Sequence, residues 1–310
     1  MITEKFTLKS ADGHELPSVI WKPDGDAVAV VQIIHGMTEH TGRYEGFAEY
    51  LTDRGIAVAG FDLRGHGMSS EGKCCASFGE DGWPRSIDDV SIFFKHLKNA
   101  LQGKPVFMLG FSLGSFLLRE YLGSTCEKPA GAIIMGTGHQ PSFILSIIMS
   151  IVKSQIKKFG FDNTSPLIKT LSFDTYNKKF APYRTDFDWL CANEAELDRY
   201  LNDELCIKSI SAGLFYDLLG SMKRTADKKI YNSYACDMPI FVISGANDPV
   251  GDFTKGTERM IKDMRGAGLK NISVSYIDGA RHDVLHDGKG SLLESRYQDI
   301  IDWITNICEE

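Results

Sequence analysis

Apolar residues fall along this chain in two alternating patterns. Short continuous runs rich in β-branched residues, VAVVQII (28–34), IAVAGFD (56–62), PVFMLG (105–110) and AGAIIMG (130–136), predict buried strands. Between them the spacing turns helical. Arg43–Arg54 sets Tyr44, Phe47, Ala48 and Leu51 on one face, Ile87–Leu101 is amphipathic, and SFLLREYL (115–122) continues as helix. Strand and helix in alternation, with strands apolar on both faces, predict a parallel sheet covered on each side. The alternation stops after the fourth run and resumes at MPIFVISG (238–245). Helix Phe253–Arg265, strand ISVSYID (272–278) and helix Leu292–Ile307 complete it. The simplest organisation is one α/β core, residues 1–137 plus 237–310, with a helical cap inserted over 138–236.

Inside the insertion, Phe143–Phe159 places Ser146, Ser150, Lys153, Ser154 and Lys157 on one stripe and apolar residues over the remaining girth. Such a helix either packs on two sides or offers a greasy face to a ligand or lipid. The acidic run NEAELDRYLNDE (193–204) sets Leu197 and Leu201 at helical spacing, so its charges read as a solvated helix face.

Composition narrows the function. The 310 residues carry a formal charge of −7 and no long basic tract, which argues against a nucleic-acid partner. The run MITEKFTLKSADGHE has charges at Glu4 and Lys5 and no apolar stretch after them, so no signal peptide is expected. No apolar run reaches the length of a membrane span. Cys74, Cys75, Cys126, Cys191, Cys206, Cys236 and Cys308 are odd in number and irregularly spaced. They fit reduced thiols in a cytoplasmic enzyme better than a disulfide framework.

One short stretch carries the chemistry. Gly110-Phe111-Ser112-Leu113-Gly114 matches G-x-S-x-G, but with 30 glycines in the chain the pentapeptide alone means little. Its context is what counts: Ser112 follows a predicted buried strand and opens a predicted helix, the setting of a nucleophile elbow. A serine hydroxyl needs a base. His282 in GARHDVLHD lies just past a late strand, and Asp248 in SGANDPVGD follows the strand before it. Asp252 and Asp278 are alternatives for the acid. The oxyanion donors expected of such a site are the backbone N–H groups of Leu113 and Met37, the latter in HGMTEH. His35 and His66 read as braces of their turns.

The segments HGMTEHTGRY, FDLRGHGMSSEG, GFSLGS, GANDPVGD and GARHDVLHD, in this order, resemble the monoacylglycerol lipase and lysophospholipase branch of the α/β-hydrolases. The resemblance implies an α/β-hydrolase fold, a serine ester hydrolase without metal or cofactor, and a helical lid over an apolar acyl tunnel. It also implies the roles given above for Ser112, Asp248, His282, Met37 and Leu113. Phe111, Phe143, Ile147, Ile148 and Ile151 are then the acyl-pocket candidates. The substrate would be a monoacylglycerol, a lysophospholipid or another small ester, and the greasy cap helix allows transient contact with a membrane surface. Two departures stand out: Phe111 where many relatives have histidine, and Asp283 where many have glutamate.

Rival readings remain open. A peptidase or a small-ester esterase could use the same triad, and a lipid carrier could use the same scaffold. GMSSEGKC (67–74) matches G-x-x-x-x-G-K, but Cys74 stands in place of the Ser/Thr that would hold Mg²⁺. HDVLH (282–286) resembles a zinc-binding H-E-x-x-H with Asp for Glu, and Ser150-x-x-Lys153 has the spacing of a β-lactamase motif.

Overall fold

The computed structural model describes residues 1–101, 103–124 and 127–309, so Cys126 and Glu310 lie outside the described residues. The chain opens with a hairpin of β1 (Ile2–Lys9) and β2 (Glu15–Lys22), turned at Gly13 with φ of 85°. Neither strand was anticipated from the pattern. β1 is an edge strand exposed along most of its length, so its residues carry no buried-strand signature.

The four strands expected in the first half follow: β3 (Ala29–Ile34), β4 (Ile56–Phe61), β5 (Val106–Phe111) and β6 (Gly131–Met135). They alternate with α1 (Glu45–Thr52), α2 (Gly82–Ala100) and α3 (Leu113–Ser124). Helix α2 starts five residues before Ile87, because Pro84 sits in the first turn, where its missing N–H has no helical partner to lose. The insertion holds α4 (Ser142–Phe159), a run of short helical turns over 166–180, α5 (Glu194–Asn202) and α6 (Ala212–Thr225). The core resumes with β7 (Ile240–Gly245), α7 (Lys255–Gly266), β8 (Ile272–Ile277) and α8 (Ser291–Glu309).

Together the strands form one eight-stranded sheet in the order β1-β2-β4-β3-β5-β6-β7-β8. β2 is antiparallel to β1 and β4, and every other pairing is parallel. The period of two divides the core. Val30, Ile34 and Met108 face α2 and α3, while Val31, Ile33 and Leu109 face Phe47 and Leu51 of α1 and Ile300 and Ile304 of α8. β3 pairs with both β4 and β5, so the strand order reverses between β3 and β5. The loops leaving these two strands diverge there, and the crevice between them is where open α/β sheets bind ligands. This is an α/β-hydrolase fold.

Two further features bear on the sequence reading. The six described cysteines are all free thiols. No helix among the described residues is long and apolar enough to cross a membrane.

Candidate active site

Ser112 sits on that crevice, between the end of β5 and the start of α3. Its φ of 49° is left-handed, a strained value for a residue with a side chain. The turn is so tight that a Cβ at Gly110 would lie 2.5 Å from the carbonyl oxygen of Gly114, and one at Gly114 would lie 1.9 Å from that of Ile34. Only glycine fits at either position. The amide of Ser112 donates to Met135 O at 3.0 Å, tying the elbow to β6, and its carbonyl accepts from Ser115 and Phe116 to start the helix.

The loops after β7 and β8 bring Asp248 and His282 together. His282 Nδ1 donates to Asp248 Oδ1 at 3.0 Å, and the amide of Val250 donates to the same oxygen at 2.8 Å. Asp252 instead pairs with Arg259, and Asp278 is exposed. Both Asp248 and His282 are buried. With Nδ1 committed, the proton-accepting nitrogen is Nε2, which is buried and has no hydrogen-bond partner among the described residues. No hydrogen bond joins it to Ser112 Oγ. The imidazole contacts two tilted aromatic rings, Phe111 at 4.9 Å and Trp189 at 5.0 Å between centroids.

The loop after β3 supplies the other wall. Met37 lines the cavity beside Ser112. Among the described residues, neither the Met37 nor the Leu113 amide has a hydrogen-bond acceptor. Thr38 follows with φ of 66°. One buried carboxylate shapes this loop. Glu39 Oε1 accepts from the Gly36 amide at 2.6 Å and from Tyr44 Oη at 2.9 Å, while Oε2 accepts from Arg43 at 2.6 Å. Arg43 also reaches Asp283, next to His282, at 3.1 Å. Burial alone would raise the Asp283 carboxyl, but His286 and Arg43 beside it hold it well below the usual carboxylate range. His286 Nδ1 donates to Asp283 at 2.8 Å and Nε2 donates to Arg43 O at 2.9 Å, so both ring nitrogens face acceptors. Burial opposes the charged ring, yet the Asp283 carboxylate carries its pKa above the ordinary value.

His35 is a brace in this arrangement. Nδ1 donates to Gly36 O at 2.8 Å and Nε2 accepts from the Leu63 amide at 2.9 Å, which requires the neutral ring. Its pKa is pushed down to about 4, chiefly by burial. His66 is likewise buried, pushed down to about 3, and bonds Arg64 O within its own turn.

Above Ser112 lies a narrow cavity of about 100 Å³. Its walls come from α4, α6 and the short helical turns, with Leu145, Ile148, Phe173, Phe215, Leu218 and Met222 prominent. Gln140, Ser172 and Tyr176 add polar atoms, and no Asp, Glu, Lys, Arg or His is among the described lining residues. Burial pushes the Tyr176 hydroxyl up to about 12, helped by the nearby Asp248.

The pocket candidates require correction. Ile148 lines the cavity, whereas Phe143, Ile147 and Ile151 point away from it and are 69%, 60% and 39% exposed. Helix α4 carries two apolar stripes. The one through Leu145, Ile148, Met149, Val152 and Ile156 packs inward, leaving the other in solvent. Periodicity cannot tell two such stripes apart; the packing of α6 does. Phe111 is also outside the cavity. It is buried beneath Ser112, filling the space between Gly36 and Gly136, where an added Cβ would come within 2.8 Å of its ring.

The rival motifs dissolve in place. Gly67–Ser70 is a single 3₁₀ turn, and α2 begins only at Gly82, so no helix opens at Lys73 to hold a phosphate. HDVLH lies in a loop, where His282 serves Asp248 and His286 serves Asp283. Ser150 Oγ bonds Ser146 O on the exposed side of α4. Glu39, Arg43, Tyr176 and Trp189 were not singled out beforehand. Glu39 and Arg43 lie within HGMTEHTGRY, where a charged pair at i, i+4 was a usable signal.

The model of the serine aminopeptidase S33 family matches residues 25–289. The human monoglyceride lipase is 26% identical over 301 residues, covering 96% of this chain and 89% of that protein. A phospholipase of Bacillus subtilis is 25% identical, covering 86% and 92%. Among solved structures, a lipase in an open form superposes with a TM-score of 0.88 at 21% identity, each chain fully covered. A soluble variant of the Saccharomyces cerevisiae monoglyceride lipase, bound to a substrate analogue, gives 0.76 at 19% identity, covering 99% of this chain and 95% of that one. The chain therefore belongs to the α/β-hydrolase family described as serine aminopeptidase S33, in the branch it shares with the monoglyceride lipases.

Proposed function

We propose that this chain is a serine carboxylic ester hydrolase acting on single-chain acyl esters such as monoacylglycerols or lysophospholipids, through an acyl-enzyme on Ser112. The observation that carries this reading is the cavity: it opens at Ser112, is walled by apolar side chains and has no charged residue in its described lining. An acyl chain gains there by leaving water. The monoglyceride lipase and phospholipase relatives support the same class of substrate.

The chemistry follows from the geometry. Ser112 Oγ gives its proton to His282 Nε2 and attacks the ester carbonyl. The negative oxygen turns toward the Met37 and Leu113 amides, at the positive end of α3. Asp248 holds His282 in the tautomer that leaves Nε2 free and stabilises the imidazolium. That imidazolium protonates the departing alkoxide. Water then repeats the sequence on the acyl-enzyme, which restores Ser112 and releases the acid. We read residues 138–236 as a cap that shapes the acyl site. Its outer face, with Phe143, Ile147 and Ile151 in solvent near Lys153 and Lys157, suits transient contact with the lipid aggregate that supplies the substrate. The free thiols support a cytoplasmic setting.

A peptidase is the second reading, favoured by the family's description. It would need an acid near the nucleophile to pair with the substrate's amine, and the described cavity wall has none. The test is a panel of acyl esters and aminoacyl amides on wild type and on Ser112→Ala, Asp248→Asn and His282→Ala. Ester turnover falling by about 10³ or more in each variant supports the reading. A serine-directed phosphonate should label Ser112 alone. Turnover of aminoacyl amides in preference to esters, or full activity in Ser112→Ala, would overturn it.

A further inference from the structure

The insertion reaches the base itself. Trp189 lies in the segment before α5, and its ring lies against His282, the centroids 5.0 Å apart and the planes inclined by 38°. The backbone around it is stitched to the loop that carries His282. Asp283 N donates to Leu190 O at 2.8 Å, and the Arg281 guanidinium donates to Asp188 O while lying 4.4 Å over the Phe180 ring. Asp287 closes the seam from the other side. Its Oδ1 accepts from Ala192 N at 2.8 Å and Asn193 N at 3.1 Å, and its Oδ2 from Arg281 N at 2.6 Å. Trp189 N in turn donates to Asn177 Oδ1 at 3.1 Å, and the indole packs on Tyr176 and Phe173 with centroids 5.3 and 6.1 Å away. Its Nε1 is buried without a partner among the described residues, so packing alone holds the ring.

We propose that Trp189 is a positioning residue for His282, holding the imidazole toward Ser112 and stabilising the imidazolium through its π face. A cation within about 6 Å of an indole centroid is attracted by the ring's quadrupole, and neutral imidazole feels far less of this. The contact therefore strengthens as the proton moves from Ser112 to His282, which is what lowers a barrier rather than merely binding substrate. Both half-reactions pass through the imidazolium, so whichever of them limits turnover feels the effect. The inference rests on the acyl-transfer reading above. It adds that the insertion, besides shaping the acyl site, completes the surroundings of the base.

The experiment compares Trp189→Phe and Trp189→Leu in the full-length protein, with a short soluble p-nitrophenyl ester that does not need the far cavity. Leucine keeps apolar bulk and removes the π face. We expect kcat to fall between about threefold and tenfold in Trp189→Leu with KM within twofold of wild type, and Trp189→Phe to retain most of the activity. A raised KM with unchanged kcat in Trp189→Leu would mean the indole is only cavity wall. Equal damage in both variants would mean that indole shape, not an aromatic face, is what matters. Either result overturns the proposal. Should Trp189→Leu melt too early to assay, Trp189→Met takes its place with the same expectations. Phosphonate labelling of Ser112 in wild type separates the two levels. Its failure would sink the acyl-transfer reading, whereas labelling with unaltered kcat in the leucine variant sinks only the role of Trp189.

Discussion

Adding one methyl group at Gly114 should disable the site while leaving the fold in place. The Cβ of Gly114→Ala would stand 1.9 Å from Ile34 O and 2.7 Å from His35 O, both backbone atoms, where ordinary contact begins at 3.4 Å. To relieve it, α3 and the end of β3 must separate by roughly 1.5 Å, and no flexible side chain is available to give way. The residues pushed are those leading into Met37, so its amide swings away from the position set by the Gly36–Glu39 bond. Losing one oxyanion donor costs about 10² to 10³ in kcat. Overpacking of this kind costs about 1–3 kcal/mol of stability, a fall of a few degrees in melting temperature. The assay is kcat on a soluble p-nitrophenyl ester beside a thermal melt. Gly266→Ala serves as the control, since a Cβ there meets nothing within 4 Å and should leave activity unchanged. A Gly114→Ala enzyme with kcat within twofold of wild type and an unshifted melt would refute the reasoning.

Two more expectations follow from the cap. Wild type should gain roughly fourfold in kcat/KM per acyl methylene until the cavity ends, from about 0.8 kcal/mol each; Ile148→Asp should flatten that slope, and Phe143→Asp, on the opposite face of α4, should leave it intact. A matched series from acetyl to decanoyl esters decides, and equal flattening by both variants would count against the assignment of the inner face. Asp217 on α6 is pushed up to about 6 from 3.8, mainly by burial and further by Asp81 and Glu120, with Arg224 opposing. A raised carboxyl favours the neutral form in the fold, so stability present below about pH 4 is lost as the pH rises through about 6. The gross effect approaches 3 kcal/mol, and partial exposure reduces it to about 1 kcal/mol. Asp217→Asn should therefore raise the melting temperature at pH 7.5 but not at pH 4, and a gain of equal size at both would show that the carboxyl's charge is not the cause.

Strands β3 to β7 were legible because they are apolar on both faces. VAVVQII, IAVAGFD, PVFMLG, AGAIIMG and MPIFVISG each became a buried strand within two residues of the expected ends. β1 was not, since an edge strand alternating Thr, Glu and Lys with few apolar residues reads as surface. At the site, Ser112, Asp248 and His282 each follow the end of a strand within five residues, where sequence position translates into a place on the sheet edge. The cap offers no such rule. Which stripe of α4 turns inward depends on α6, some 60 residues later, and Trp189 meets His282 where Asp283 N bonds the neighbouring Leu190 O. Contacts of that kind arise from how two units dock, and no periodicity within either one encodes them.

β6 and β7 are hydrogen-bonded neighbours, with Ala132 opposite Ile240 and Met135 opposite Ile243, although about a hundred residues lie between them. The chain therefore leaves the sheet and re-enters it through adjacent doors. Whatever is threaded between them need only begin and end a strand's width apart, and doubling its length adds only about 0.6 kcal/mol of closure cost. Evolution can lengthen, shorten or exchange this segment without disturbing the register of any strand, so substrate choice can diversify at a single locus while the reacting groups stay put. The limit on that freedom is the seam along residues 188–193: a replacement that roofs the cavity but drops this seam would inherit the elbow and lose the grip on its histidine.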